Sequence, residues 1–229
     1  VCGIAGVLGR ADEGTLDDML SCVIHRGPDE DGRFVDDQQP LMMGMRRLSI
    51  IDIDEGTQPI YNEDGTVAVV FNGEIYNYLE LREQLERAGH TFSTNSDTEV
   101  LVHGWEEYGE RLPEHLNGMF AFSLWDATDE SLFLARDRVG IKPLYYVEHG
   151  DQLYWASEIK PLLKCDFDLT LDRQAIYNYF SLRYFPWPQT PFKEIQKVEP
   201  GTSMLIDDDG LSKRKYWDLT SRSVSGDLE

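Results

Sequence analysis

Cysteine is scarce in this chain: three residues in 229, at positions 2, 22 and 165, with no CxxC pair among them. That spacing builds neither a disulfide framework nor a thiolate metal cage, and it suits a reducing cytosol. Long apolar runs are missing too. With no stretch of about 18 apolar residues, no transmembrane helix is expected, and the N-terminus lacks the basic and apolar regions of a signal peptide. Positive charge is short: 21 Lys plus Arg, only 7 of them Lys, stand against 42 Asp plus Glu, for a net charge of −21. Such an acidic balance argues against nucleic acid or an anionic membrane as partner. There is no P-loop, no GxGxxG and no HExxH. The five histidines, at 25, 90, 103, 115 and 149, fall at no metal-ligand spacing, so no metal site is expected.

What is present is enough for a sizeable core, at 41% hydrophobic and 11% aromatic residues. The acidic residues are spread along the chain rather than gathered in a tail, which reads as a solvated coat of the kind a salt-adapted organism carries. At low salt such charges repel across the whole domain, because the Debye length is about 30 Å at 0.01 M; stability is therefore expected to climb with salt.

Apolar runs at 3–8 and 67–71 and a run at 40–51 with an arginine pair inside it read as strands. Helical spacing covers 16–25 and 78–88, the latter closed by Gly89; Ser96 and Glu99 form a capping box for a helix over 97–109. From 119 to 156 alternating runs separated by Asp, Gly and Pro turns read as an antiparallel meander. Short helices are expected at 158–164 and 172–182, closing strands at 203–207 and 214–217, and a polar tail from Asp218. Strands and helices come in blocks rather than in βαβ alternation, so the class is α+β with antiparallel sheets.

A cysteine at position 2 brings together a thiol and, if Val1 is removed, a free α-amine. A thiolate is a strong nucleophile, but at a pKa of about 8.5 it needs a base. The amine titrates at about 7.7–8.0 and can be that base, which makes one residue a complete nucleophilic unit. The plain alternative is a small apolar residue on an opening strand. Asn72-Gly73, at the end of the 67–71 strand, offers an amide donor and a backbone N–H that suit a developing oxyanion; an ordinary Asn-Gly turn is the alternative. Gly73 would also let the backbone come close to a ligand. A guanidinium at Arg46 or Arg47 in a strand needs a carboxylate, from the protein or from a ligand. Asp97 at a helix start can cap the helix or meet an ammonium group. Arg26 and Asp29, in HRGPD, can pair to hold a loop.

Taken in order, CGI, HRGPD, RRLSIID, FNGEIYN, NSDTE, GMFAF, RDRVGIKPLYY and SEIK resemble the glutaminase domain of class II glutamine amidotransferases, in the glutamine-hydrolysing asparagine synthetase branch. The resemblance covers about residues 2–217. It implies an N-terminal-nucleophile fold, an αββα four-layer sandwich of antiparallel sheets. It also implies roles: Cys2 as nucleophile with its own α-amine as base, Asn72 and Gly73 as oxyanion hole, Arg47 on the α-carboxylate of L-glutamine, and Asp97 on its α-ammonium. Glu74 lies beside Asp97, and Ile51, of RRLSIID, belongs to the same glutamine-binding set.

Two departures accompany the resemblance. Val1 precedes the nucleophile, and an acylated amine is no base; a chain that keeps Val1 would be a non-catalytic glutamine-binding module. A GTG start codon, read as Val but translated as a Met that is later removed, accounts for it. The ATP-binding SGGxDS loop of full-length members is absent. The expected domain is therefore 1–217, with 218–229 as a linker toward a synthetase domain or subunit that accepts the ammonia. No cofactor is expected for the domain itself; ATP and Mg would belong to the synthetase. The acceptor is aspartate, or else a sugar or cell-envelope substrate, and the resemblance admits a homodimer.

Overall fold

The structure, a computed structural model, describes residues 2–12, 14–36, 38–48 and 56–219. Val1, residues 49–55, which include Ile51, and the tail beyond 219 lie outside the described residues. The chain runs β1 (Gly3–Leu8), α1 (Gly14–Ser21), β2 (Glu30–Val35), β3 (Leu41–Arg47), β4 (Ile60–Tyr61), β5 (Val67–Ile75), α2 (Tyr78–Ala88), α3 (Glu99–Tyr108) and α4 (Leu112–His115). It continues through β6 (Gly118–Asp126), β7 (Ser131–Arg136), β8 (Tyr145–His149), β9 (Gln152–Ala156), α5 (Ile159–Leu162), α6 (Arg173–Leu182), β10 (Gln196–Lys197), β11 (Thr202–Asp207) and β12 (Gly210–Lys215).

The strands form two six-stranded sheets, ordered β10-β8-β9-β1-β3-β2 and β12-β11-β7-β6-β5-β4. Every pairing is antiparallel. Alternation of side chains sorts the core into three layers. Ile4, Met43 and Met45 of the first sheet meet Ala68, Val70 and Leu134 of the second between the sheets. Ala5 and Val7, on the opposite face of β1, pack with Leu16, Met19 and Leu20 of α1. Val69, Phe71 and Phe122 pack outward against Leu81 and Leu85 of α2 and Leu101 and Val102 of α3. The order is therefore helix, sheet, sheet, helix, which is the expected αββα sandwich. Leu134 is fully buried between the sheets; truncating it to Ala would cost about 2–5 kcal/mol.

Several local expectations hold. Residues 78–88 are α2, and Gly89 closes it at φ 117°. Only glycine adopts that left-handed turn without strain. Asp172 caps α6 by accepting from the N–H groups of Gln174 and Ala175.

Others change. The helix expected over 16–25 ends at Ser21, and a single 3-10 turn over Ile24–Arg26 follows. The capping box at α3 is not formed between Ser96 and Glu99: Glu99 reaches back instead to the N–H groups of Ser93 and Thr94. β2 carried no sequence signal strong enough to propose it, because its alternation is between half-buried and exposed positions. The 119–156 stretch is not one meander. β6 and β7 belong to the second sheet, while β8 and β9 belong to the first. The RDRVGIKP segment carries the chain across. Buried Asp137 holds that crossing by accepting from the N–H groups of Phe120, Val139, Ile141 and Lys142. Arg136 ties it down through the carbonyls of Gly140, Lys142 and Val198. Alternation within each strand cannot reveal a change of sheet, since both sheets have the same period.

Candidate active site

The same period of two brings the chemical residues together. Ile4 faces the space between the sheets, so Cys2, two residues earlier, faces it as well and packs there. Ala68 and Val70 put Asn72 on that face of β5; Met43 and Met45 put Arg47 on that face of β3. All three reach one end of the sandwich, where a cavity is lined by Cys2, Arg47, Leu48, Gly56, Gln58, Phe71, Asn72, Gly73, Glu74, Ser96, Asp97 and Thr98. Of the residues expected at the site, all but Ile51 are thus found together, and Ile51 lies outside the described residues.

Cys2 is half-buried, with Sγ 3.9 Å from the carbonyl oxygen of Leu48. Its backbone is pinned from two sides. Arg26 Nε donates to the Cys2 carbonyl at 3.0 Å, and Arg26 Nη1 lies 3.0 Å from Glu158 Oε1, which His25 Nε2 also meets at 2.9 Å. Ile4 N–H donates to Ser157 Oγ at 3.0 Å, and Ser157 N–H returns to the Ile4 carbonyl at 2.9 Å. Burial raises the Glu158 pKa, and the hydrogen bonds from Arg26 and His25 outweigh it, leaving the carboxyl below its ordinary value. HRGPD and SEIK, far apart in sequence, therefore act on one residue. The ion pair of Arg26 is with Glu158 rather than with Asp29, because the 3-10 turn directs it toward the start of β1.

Asn72 is 0% exposed, and neither its Nδ2 nor its Oδ1 has a hydrogen-bond partner among the described residues. A buried polar atom left this way costs about 1–3 kcal/mol. Native proteins retain few of them, and each calls for an explanation. Next to it, Gly73 stands opposite Phe120 in the β5–β6 register. Phe120 donates its N–H to Asp137 Oδ2, and its carbonyl accepts from the Asp137 N–H, so Gly73 points its own N–H to the other edge of β5. Along that edge Gln58 Oε1 takes the N–H of Phe71 at 2.7 Å, and Asp97 Oδ2 takes that of Ile75 at 2.8 Å. The Gly73 N–H lies between them, and no described side chain accepts from it. The absence of a side chain at Gly73 is also required by packing: a Cβ there would sit 2.2 Å from the Met119 carbonyl oxygen of β6.

Two charged groups flank these donors. Arg47 is buried, and its Nη1 meets Glu30 Oε2 at 2.8 Å, across the Glu30–Arg47 register of β2 and β3. Of the two partners the sequence left open for Arg47, the protein supplies this carboxylate. Asp97 is also buried, and its pKa is pushed up to about 6, chiefly by burial and further by Glu74, against the lowering effect of the Ile75 N–H. It is a carboxylate short of positive charge.

Gln58 and Glu30 escaped the sequence reading. Gln58 braces β5 at Phe71 and reaches Thr98 Oγ1 at 3.4 Å, but a lone Gln beside a Pro carries no spacing signal. Glu30 shows itself only through strand register.

A family profile described as "Glutamine amidotransferase domain" matches residues 1–217. The chain belongs to that family. Among individual proteins, it is 46% identical to asparagine synthetase [glutamine-hydrolyzing] 1 of Bacillus subtilis over 98% of this chain and 36% of that protein. It is 44% identical to asparagine synthetase [glutamine-hydrolyzing] 3 of Arabidopsis thaliana over 90% of this chain and 36% of that protein. The chain thus spans about a third of the length of these relatives. Among solved structures, glutamine phosphoribosylpyrophosphate amidotransferase from B. subtilis superposes with a TM-score of 0.69 at 22% identity, over 97% of this chain and 50% of that one, a likeness of fold.

Proposed function

We propose that this domain hydrolyses L-glutamine to glutamate and ammonia at Cys2, once Val1 is gone, and that the ammonia passes to an ATP-dependent synthetase of the asparagine synthetase type in the cytoplasm. The observation that carries this is Asn72: a buried amide with both polar atoms unpartnered among the described residues, facing the same inter-sheet space as Cys2. A donor held in place without a ground-state partner is what a transient oxyanion needs.

The steps follow from the groups present. The α-amine of Cys2 takes the thiol proton, and the thiolate attacks the side-chain amide of glutamine. Asn72 Nδ2 and the Gly73 N–H receive the negative charge on the carbonyl oxygen. The amine returns its proton to the departing ammonia, leaving a glutamyl thioester. Water, deprotonated by the same amine, then releases glutamate. Arg47 takes the substrate α-carboxylate, and its ion pair with Glu30 keeps the guanidinium aimed; Asp97, with Glu74 beside it, takes the α-ammonium. Gripping both ends of the amino acid turns binding energy into positioning of the amide. Nothing in these steps calls for a metal or cofactor; ATP and Mg serve the acceptor chemistry elsewhere. The reading takes residues 1–217 as the domain and 218–229 as its link to the synthetase part.

The test is ammonia release from glutamine by protein shown by mass spectrometry to begin at Cys2. Release that survives EDTA and stops on thiol alkylation or Cys2→Ala is expected; activity that persists in Cys2→Ala would overturn the reading. The acceptor is tested separately, by glutamine-dependent asparagine formation from aspartate and ATP when the synthetase part is supplied.

A further inference from the structure

On the outer helical layer, four side chains from three separate segments converge: Glu63 in the turn between β4 and β5, His90 just beyond α2, and His103 and Glu106 on α3. One ligand atom from each lies within 4.8 Å of the others. His90 Nδ1 is 3.2 Å from Glu63 Oε1 and 3.7 Å from Glu106 Oε2. His103 Nδ1 is 3.2 Å from Glu63 Oε2 and 3.5 Å from the same Glu106 Oε2. The same nitrogen of two imidazoles therefore faces the same two carboxylates. Around a tetrahedral zinc ion, with Zn–N and Zn–O bonds of about 2.0–2.2 Å, neighbouring ligand atoms stand about 3.3–3.6 Å apart. The four observed separations, in which Glu63 offers one oxygen to each histidine, bracket that range.

A second observation points the same way. His103 is fully buried, yet among the described residues neither of its ring nitrogens makes a hydrogen bond of acceptable geometry. The carboxylates beside it are near enough but lie off the N–H directions, as expected when lone pairs aim at a common point rather than at each other. The surroundings are ordered as well. The far nitrogen of each ring faces a carboxylate: His90 Nε2 is 3.2 Å from Glu107 Oε1, and His103 Nε2 is 3.5 Å from Glu99 Oε1. Metal-ligating histidines are oriented in this way. Glu106 Oε1 accepts from Asn62 Nδ2 at 3.0 Å, and Glu63 Oε1 accepts from the Thr91 N–H at 2.8 Å.

We propose that Glu63, His90, His103 and Glu106 bind one divalent transition cation of the zinc class. Two imidazole nitrogens with two carboxylate oxygens suit zinc and its first-row neighbours, whereas Mg and Ca favour all-oxygen sites. The ion ties α3 to the β4–β5 turn. Because Asp97 and Thr98, at the entry to α3, line the glutamine cavity, the ion steadies one wall of that cavity without touching substrate. Sequence spacing could not show this site, since its ligands come from three segments.

The experiment titrates zinc into chelator-stripped, tag-free protein by calorimetry, in high salt and excess Mg, which suppress binding to the diffuse acidic surface. One zinc per chain is expected, with a rise in melting temperature, and cobalt in its place should give the intense visible bands of a tetrahedral site. His103→Ala risks misfolding, so the decisive variants are His90→Gln and Glu106→Gln, whose side chains reach solvent. Each should weaken zinc by more than about tenfold, and Glu107→Gln by roughly 10–100-fold as an outer partner. Cys22→Ser and Cys165→Ser should leave binding unchanged. The proposal is overturned if zinc shows no preference over Mg, or if His90→Gln and Glu106→Gln bind it as the native chain does. It is also overturned if the melting temperature responds to pH but not to zinc, because the cluster would then hold only a proton.

Discussion

Asp97 and Glu99 stand two residues apart, 5% and 1% exposed, and their environments are opposite. Glu99 is surrounded by donors: the N–H and Oγ of Ser93 and the N–H and Oγ1 of Thr94, all at 2.5–3.0 Å. Burial alone would raise its pKa, but the His103 ring and these donors outweigh burial and bring it down to about 2. Asp97 has the Ile75 N–H at 2.8 Å and the negative charge of Glu74 nearby, and it rises to about 6. One carboxylate is complete within the protein. The other is complete only when something positive enters the cavity. Asn72 belongs with Asp97, being buried and unpaired at the same cavity. For Asp97 and Asn72, burial without full satisfaction coincides with the cavity; for Glu99, burial comes with four donors and serves stability.

The largest expected effect tests the unpaired side of that contrast. Asn72→Ala should lower kcat by about 10²–10³-fold with little change in KM, as removal of one oxyanion donor does. Steady-state glutaminase kinetics decide it; a change confined to KM would assign Asn72 to ground-state binding instead.

Asp97→Asn has two consequences of opposite kind. Glutamine binding should weaken by about 2–5 kcal/mol, as when a buried charge pair loses one partner, and this appears in KM. The unliganded protein should become more stable. A rise in pKa from 3.8 to about 6 is about 2 units, equivalent to about 3 kcal/mol. Because the native state holds this proton more tightly than the unfolded state, ionised Asp97 opposes folding. Denaturant unfolding near neutral pH should therefore show Asp97→Asn as the more stable protein. A less stable variant would mean that the charge is already neutralised without substrate.

Glu99→Gln should do the reverse. It exchanges charge-assisted hydrogen bonds for weaker ones, and a loss of about 2 kcal/mol is expected in the same unfolding experiment. The KM for glutamine should change far less than in Asp97→Asn, and comparable shifts in both would erase the distinction between the two carboxylates.

The smallest effect is in pH. The destabilisation from Asp97 grows as pH rises from about 4 to about 6 and is constant above, so unliganded protein should lose stability across that window relative to Asp97→Asn. Glutamine affinity should fall as pH drops through about 6, because a protonated Asp97 offers no charge to the ammonium. NMR titration of the Asp97 carboxyl in the absence and presence of a glutamine analogue checks both.

Much of this was legible in the residues themselves. The apolar run 67–71 reads as a buried strand that ends at Asn72-Gly73, the helical spacing of 78–88 with Gly89 gives α2 its length and its end, and the order of motifs from CGI to SEIK identifies the family. What remained hidden was contact between distant segments. Glu30 meets Arg47 only because β2 and β3 pair in one register. Arg26 finds Glu158, 132 residues away, rather than its neighbour Asp29. The 119–156 strands alternate uniformly although they divide between two sheets.

The sequence by itself determined where most of the strands and helices run, because a strand repeats every two residues and a helix every 3.6, and it determined that Cys2, Asn72, Arg47 and Asp97 are groups of the right chemical kind. Only the tertiary structure decided which buried polar groups are satisfied. Glu99 and Asp97 are both short acids at the start of one helix, and nothing in their local sequence says that one will collect four donors while the other faces a cavity. The same holds for His90 and His103, which the packing of α2, α3 and the β4–β5 turn brings to one point. Satisfaction depends on partners from elsewhere in the chain, and those arrive only when the sheets and helices close on one another.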